Sequence, residues 1–335
     1  MKVNIPEIQK LLVGILISKK VSKSEAIILA NEYLEGELQG KQTHGLMAFP
    51  SLMKGLPLKK KPVIIKKKTA SYIFVNANYN FGTVVGRKFT QQAIGMAKKQ
   101  GIAVVFIQNM LSWLRPATLA QYISSQGMIG FVVNNGGESM VAPPGGFEPQ
   151  IGTNPIGIGV PTYGNDIVVD MATSKRAWGE VRKSMLADRS LPAETYFDKG
   201  GNFAKDPNDA YSVVASGGYK GFALGLFVEI LAGSMVNMPM GVVKHAGTGY
   251  RTVPRGAMIL ILNPKFSTSL NKFKKENKKL VSRIKQSKKL KGVAEILIPG
   301  ERALKTRKNN LKNKCVDVRD ELWTELLEIK NNCDK

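Results

Sequence analysis

The chain has 335 residues, 43% of them hydrophobic, enough to bury a sizeable core in one large domain or two to three smaller ones, which excludes a disordered protein. Its 33 glycines and 16 prolines are spread out rather than bunched, the pattern of many tight turns between short elements in a mixed α/β enzyme. The formal charge of +24 raises nucleic-acid binding, but the excess sits in lysine-rich stretches with little interleaved aromatic residue to stack on bases, so these read as solvated faces.

In chain order, Pro6 followed by Ile8, Leu11, Leu12, Ile15 and Leu16 starts an amphipathic helix, and Ser24 to Leu38 repeats the pattern with Ser22 or Ser24 as N-cap. The apolar run from Met1 to Lys20 is short and has no small-residue cleavage site, so it does not read as a secretory signal. A basic, proline-punctuated linker follows from Gly55 to Lys68 and contains the first lysine cluster, Lys59-Lys60-Lys61 with Lys66-Lys67-Lys68. Then come a strand near Tyr72 to Val75 and a helix from about Thr83 to Gln100. Gly101 to Ile107 is continuously apolar, as a strand buried on both faces would be, and similar runs lie at Met128 to Val133, Ile156 to Val160 and Ile167 to Val169. Gly221 to Met240 carries Glu229 and several small residues, so it reads as a buried core helix rather than a membrane span. The tail from Phe266, with the second lysine cluster at Lys272 to Lys291, is charged and helix-prone, broken at Ile296 to Gly300. Cys315 and Cys333 are the only cysteines, which leaves neither a disulfide framework nor a cysteine-rich metal site and fits a reducing cytoplasm.

No strand runs into Gly-x-Gly-x-x-Gly, and no phosphate loop of the Gly-x-x-x-x-Gly-Lys-Ser/Thr type is present, so a bound nucleotide must be held another way. His44 and His245 are the only histidines; no metal-ligand spacing surrounds them, so no metal is expected, and no Gly-x-Ser-x-Gly elbow supports a hydrolase. A proton donor at neutral pH is therefore His44, His245 or a non-histidine group with a perturbed pKa. Locally, His44 reads equally as a histidine packed on a helix end. Gly152-Thr153-Asn154-Pro155 presents backbone N–H groups and a hydroxyl at a strand end; Val168 to Ser174 puts Asp170 at the end of another strand; Ser216 to Gly221 opens an apolar helix with glycines and Lys220, suited to a phosphate. Each reads alternatively as a turn or a cap.

Taken in order, these segments form a set: Thr43-His44-Gly45, Gly127-Met128-Ile129-Gly130, Pro143-Pro144-Gly145-Gly146 with Gly152 to Pro155, Asp170 to Ser174, Gly217 to Gly221 with Val228-Glu229, and Pro299-Gly300-Glu301-Arg302. The set resembles the family of malate/L-lactate, sulfolactate, ureidoglycolate and diketogulonate dehydrogenases and piperideine-carboxylate reductase, from about Ile5 to Leu327. The resemblance implies a non-Rossmann, L-sulfolactate dehydrogenase-like α/β fold with a largely antiparallel nucleotide-binding sheet and a flanking helical domain. In domain terms, 1–70 plus 265–335 would be the helical substrate and dimerisation domain and 71–264 the NAD(P)-binding domain. It also implies a homodimer that uses NAD or NADP on a small 2-oxo, 2-hydroxy or 2-imino acid; a cytoplasmic location and no membrane partner are expected from the cysteines and the apolar runs.

By the same resemblance His44 is the proton donor, Asp170 the carboxylate that orients it, and Thr43 a hydroxyl where the family usually has serine. Val168, Val169, Asp170, Met171, Ala172, Thr173 and Ser174, Lys220 with Gly221, and Pro299, Gly300 and Glu301 match cofactor-binding segments, while Thr153 and Asn154 fall on the substrate side. Three positions depart: the family's usual arginine after His-Gly is Ala48, its second histidine aligns with Ser112, and a basic residue after the paired glycines is Phe147. One explanation is a rebuilt pocket lined by Trp113 and Phe147, with Arg115 replacing the lost carboxylate clamp. Another is a cofactor-binding homologue that has lost catalysis; a basic nucleic-acid-binding protein is the third reading.

Overall fold

The structure, a computed structural model, describes residues 1–54, 56, 61–111, 113–241 and 253–333. In chain order the elements are β1 (Lys2–Asn4), α1 (Ile5–Ser18), α2 (Lys23–Leu38), α3 (Phe49–Lys54), β2 (Ile64–Lys68), β3 (Tyr72–Asn76), α4 (Gly82–Gln100), β4 (Ile102–Met110), α5 (Pro116–Ser125) and β5 (Ile129–Asn134). They continue with β6 (Ile156–Val160), β7 (Ile167–Met171), α6 (Gly179–Leu186), β8 (Tyr196–Phe197), β9 (Ser212–Val213), α7 (Tyr219–Ala232), β10 (Arg255–Leu262), α8 (Leu270–Lys285), α9 (Glu301–Asn313), β11 (Cys315–Asp317) and α10 (Asp320–Asn331). The chain divides into two compact units, Met1–Lys60 with Arg302–Lys335, and Lys61–Glu301. Residues 61–70 and 265–301 group with the second unit.

The first unit is helical. Ile8, Leu12, Ile15 and Leu16 of α1 are fully buried, the i, i+4, i+7, i+8 stripe of a helix with one face in a core. α2 meets it with Leu29, Tyr33 and Leu34, and Tyr33 stands edge-on to Phe49 of α3 with ring centroids 5.2 Å apart. Trp323 and Leu326 of α10 are buried, and β1 pairs antiparallel with β11, which ties the two ends of the unit together.

The second unit is built on a seven-stranded sheet in the order β2-β3-β4-β10-β5-β6-β7. Every pairing is antiparallel except β3 with β4, whose parallel register is allowed by the long crossover through α4. Alternation along the strands fills both faces. Val105 and Ile107 of β4 and Ile259 and Ile261 of β10 join a core with Phe89 of α4 and Ile123 of α5; Phe106, Met258 and Val133 join another with Val228 of α7. The apolar run at 101–107 is thus a strand buried on both faces, with Gly101 (φ 81°) as the left-handed cap that ends α4 before it.

Two expectations need correction. β10, the sheet's central strand, was not singled out in the sequence, and the supposed linker 55–68 contains the edge strand β2. α7 is not a buried core helix: Gly221, Gly225, Val228 and Glu229 face inward, while Tyr219, Leu224, Leu226, Phe227 and Ile230 are exposed. Together with the turn that follows, it is the one segment among the described residues long and apolar enough to cross a membrane; its inward face is packed on the sheet. Lys59, Lys60, Ser112 and His245 lie outside the described residues.

Candidate active site

Residues expected to carry chemistry fall in both units. In the helical unit, α2 ends at Leu38 and the chain turns through a 3-10 turn, Gln42–His44. His44 is half-buried, and its Nδ1 lies 2.9 Å from the Thr43 hydroxyl. The turn is pressed onto α2. A Cβ at Gly36 would lie 2.5 Å from the His44 carbonyl oxygen, and one at Gly45 would collide with the Glu37 carboxyl. Gly45 has an ordinary negative φ of −105°, so what it supplies is close approach rather than an unusual backbone conformation.

Glu37 is the residue that sequence reasoning missed. It is 6% exposed, and its Oε1 accepts a 2.7 Å hydrogen bond from the Leu46 N–H. Burial pushes its carboxyl up to about 7, against the opposing pull of that N–H and of the Arg319 charge. Beside it is a cavity of about 20 Å³, lined also by Gln42, Met47, Asp317 and Arg319. The available signal was an acid set among the buried positions of α2, directly after a glycine and just upstream of the only histidine followed by glycine.

In the sheet unit, β6 carries glycines at two positions on the face that meets α5. A Cβ at Gly157 would lie 2.5 Å from the Ala117 nitrogen, and one at Gly159 would overlap the Ala120 carbonyl. With no side chains between them, α5 sits directly on the strand, and its N-cap residue Arg115 reaches Asp170 on β7, Nη1 to Oδ2 at 3.5 Å. Arg115 also donates from Nη2 to the Thr118 hydroxyl at 3.3 Å. Arg115, expected as a substrate clamp, is 3% exposed and is the counter-ion of Asp170. Trp113, expected to line the pocket, is 4% exposed and packs in the core against Gly86 of α4. Ala48 is likewise buried, in the helical unit.

The stretch from Val168 to Ser174 runs past three other segments. At its start, the Val168 N–H donates to the Pro299 carbonyl at 3.1 Å, and Gly300 (φ 92°) stands so close that a Cβ would lie 3.0 Å from that of Val168. Val168 and Val169 are half-buried and Met171 is exposed. At its end, Thr173 donates from its N–H and its hydroxyl to the Thr153 carbonyl, at 3.0 and 3.1 Å, and accepts at its own carbonyl from the Ser216 N–H at 2.9 Å. Glu301 accepts from Lys285 at 2.6 Å and from the Ile298 N–H at 3.0 Å, which closes the turn 298–301. Gly217 and Gly218, at φ 63° and 64°, lead into α7; the space around both is open, and Lys220 is exposed beside them. An exposed helix N-terminus with a lysine in its first turn is suited to a phosphate.

Asn154 lies beneath this surface rather than on it. It is fully buried at φ 39°; its Oδ1 accepts from the Gly136 N–H at 2.9 Å, and its Nδ2 donates to the Gly225 carbonyl at 2.8 Å and to Glu229 Oε2 at 2.6 Å. Its side chain, expected on the substrate side, is engaged in these three bonds, which tie down the loop that carries Thr153. Glu229 answers it from α7 and accepts from the Gly241 N–H at 3.2 Å. The acid in the apolar helix is a hydrogen-bonded core residue.

Residues 3–327 match the family model described as malate/L-lactate dehydrogenase. The malate/(S)-sulfolactate dehydrogenase of Methanothermus fervidus is 31% identical over 337 residues, covering 96% of this chain and 98% of that protein. The NAD(+)-dependent ureidoglycolate dehydrogenase of Escherichia coli K12 is 23% identical over 98% of this chain and 95% of its own. The structure of sulfolactate dehydrogenase from Methanocaldococcus jannaschii superposes with a TM-score of 0.89 at 27% identity, covering 100% of this chain and 98% of that one.

Proposed function

Because the chain belongs to the malate/L-lactate dehydrogenase family, we propose that its reaction is hydride transfer between NAD or NADP and a small 2-oxo, 2-hydroxy or 2-imino acid, with His44 as proton donor. The chain is an NAD(P)-dependent oxidoreductase, and family membership over nearly its whole length favours an enzyme over a homologue that only binds cofactor. The observation that carries the site assignment is the contiguity of Val168–Ser174 with Pro299–Gly300 at one end and with the Thr153 loop and Ser216 at the other.

The sheet unit fits a dinucleotide. The open, glycine-led N-terminus of α7 with Lys220 suits the pyrophosphate, and the flanking strand β7 with the 299–301 turn gives a backbone edge for the rest. When bound, the nicotinamide supplies or accepts the hydride. In reduction, protonated His44 gives its Nε2 proton to the developing oxyanion or amide anion, with Thr43 holding Nδ1; in oxidation, the neutral imidazole takes the proton back. Asp170, paired with the Arg115 guanidinium at 3.5 Å, is assigned as the second catalytic group. Thr153 is assigned to the substrate side, on the loop that Asn154 holds.

The sheet unit is assigned to cofactor and the helical unit to substrate, in a cytoplasmic homodimer. The exposed apolar face of α7, Leu224, Phe227 and Ile230, supports self-association, since a row of large apolar side chains at helical spacing calls for a cover.

The test is consumption of NADH and NADPH at 340 nm by the purified protein, offered a panel of 2-oxo acids, oxaloacetate and sulfopyruvate among them, and cyclic imines. Turnover with at least one class is expected, and His44→Gln should lower kcat by about 10²- to 10⁴-fold. Cofactor binding without turnover across the whole panel would defeat the reading.

A further inference from the structure

The helical unit offers a carboxyl that the mechanism above does not use. Glu37 is buried on the inner face of α2, anchored through Oε1 to the Leu46 N–H, and covered by Gly45, which has no room for a side chain on that side. The preceding residue, Gly36, receives the His44 carbonyl at a distance that would also exclude a Cβ. Two consecutive residues of one helix thus grip both peptide units of the His44-Gly45 turn.

We infer that Glu37 is a positioning residue for His44: its carboxylate fixes the turn that carries the imidazole, and its loss of a proton tightens that grip. The inference rests on His44 being the proton donor. An ionised carboxylate makes a shorter and stronger bond to a backbone N–H than a neutral acid does, so the hold on Leu46 depends on the state of Glu37. The groups that bear on that state are the Leu46 N–H and Arg319 at the start of α10; Asp317 on β11 lines the same cavity, and His44 precedes Gly45, which is packed on the carboxyl. Arg319 favours the carboxylate and is held in place by its Nη2 contact to the Met47 sulfur at 3.4 Å. Burial disfavours it, which brings the carboxyl's titration into the range where an imidazole also titrates.

The experiment is a titration of the His44 ring by proton NMR in the full-length protein, where only two histidines need to be told apart and His44→Gln identifies the signal. In the wild type the His44 shift should pass through two inflections, one of them near pH 7, and Glu37→Gln should leave one. In parallel, Glu37→Gln should lower kcat by roughly tenfold with the KM for NADH within about twofold, and remove one ionisation from the kcat profile, since a small misplacement of a reacting group costs rate rather than cofactor binding. A His44 titration and a kcat profile unchanged in Glu37→Gln would overturn the inference. Should the variant unfold, the wild-type curve decides alone: a single inflection overturns it. If His44→Gln itself keeps full activity, the assignment of His44 fails instead, and the ring titration still reports on Glu37.

Discussion

Arg115 and Asp170 come from different layers of the sheet unit, one capping α5 and the other near the end of β7, yet their charged atoms lie 3.5 Å apart. The guanidinium is buried and the carboxylate about a fifth exposed, so removing either partner leaves the other with a charge that water reaches only in part. Arg115→Met should cost about 2 kcal/mol of stability by leaving Asp170 with its charge partly uncompensated. A support role for Arg115 beneath Asp170 predicts that kcat falls while the KM for the acid substrate holds. A steady-state analysis in which KM rises at constant kcat would return Arg115 to the substrate.

That pair depends on an absence of side chains. Gly157 faces the Pro116–Ala117 backbone with no room for a methyl group, and backbone cannot move aside as a flexible side chain can. Gly157→Ala should cost about 2–3 kcal/mol and displace Arg115 as α5 lifts from the strand. Thermal unfolding followed by circular dichroism measures the first effect; a midpoint within a degree of wild type would mean the contact is looser than the structure has it.

Much of this was legible in the sequence, and the reasons for the rest are physical. Strands β4, β5 and β6 announced themselves as unbroken apolar runs, and α4 by its period and the glycine that ends it. β10 is as apolar as they are, but periodicity alone does not separate a short buried strand from a piece of buried helix. α7 defeated the opposite inference. Its composition is apolar all round, with leucines and phenylalanine on the exposed side as well as the packed one, so nothing in the pattern distinguished a core helix from one with an uncovered face. At the site, Thr43, His44 and Asp170 were marked by their place in the ordered set of motifs that resembles the family, whereas the burial of Arg115, Trp113 and Asn154 shows only in the fold. Glu37 had no motif to mark it; its significance comes from the glycine packed over it.

Asn154 joins three parts of the chain with one amide, reaching Gly136, Gly225 and Glu229. Asn154→Ala would leave the Gly136 N–H and the Glu229 carboxylate short of a partner inside the protein and remove a residue type that tolerates the left-handed backbone at this position. A loss of about 2–4 kcal/mol is expected from urea unfolding, with hydrogen exchange quickening first at Gly136 and Gly152. Uniform protection at both amides would show that the network is not what holds the loop.

Gly45 and Glu37 make a reciprocal pair that a double-mutant cycle can test. Gly45→Ala places a methyl group onto the Glu37 carboxyl and should cost about 1–3 kcal/mol, with kcat falling as the His44 turn shifts. Glu37→Ala opens that space, so the double variant should be more stable than the sum of the two single changes allows, by roughly 1 kcal/mol or more. Additive effects would place the strain of Gly45→Ala elsewhere.

The burial of Glu37 also leaves a signature in stability against pH. Its carboxyl titrates at the ordinary value of 4.5 when the chain is unfolded and at about 7 when folded, so between those values the folded state binds the proton more tightly. Proton release then favours unfolding: the contribution is fully present below about 4.5, is lost as pH rises toward 7, and is constant above that, amounting to about 3 kcal/mol over the window. Glu37→Gln cannot ionise and should show no such term. The difference in unfolding free energy between wild type and variant, measured in urea at steps from pH 4.5 to 8, should therefore slope against the wild type up to about pH 7 and then level off. A difference that stays flat across this range would mean that Glu37 ionises as easily in the fold as out of it, and that the space beneath Gly45 is wetter than its packing implies.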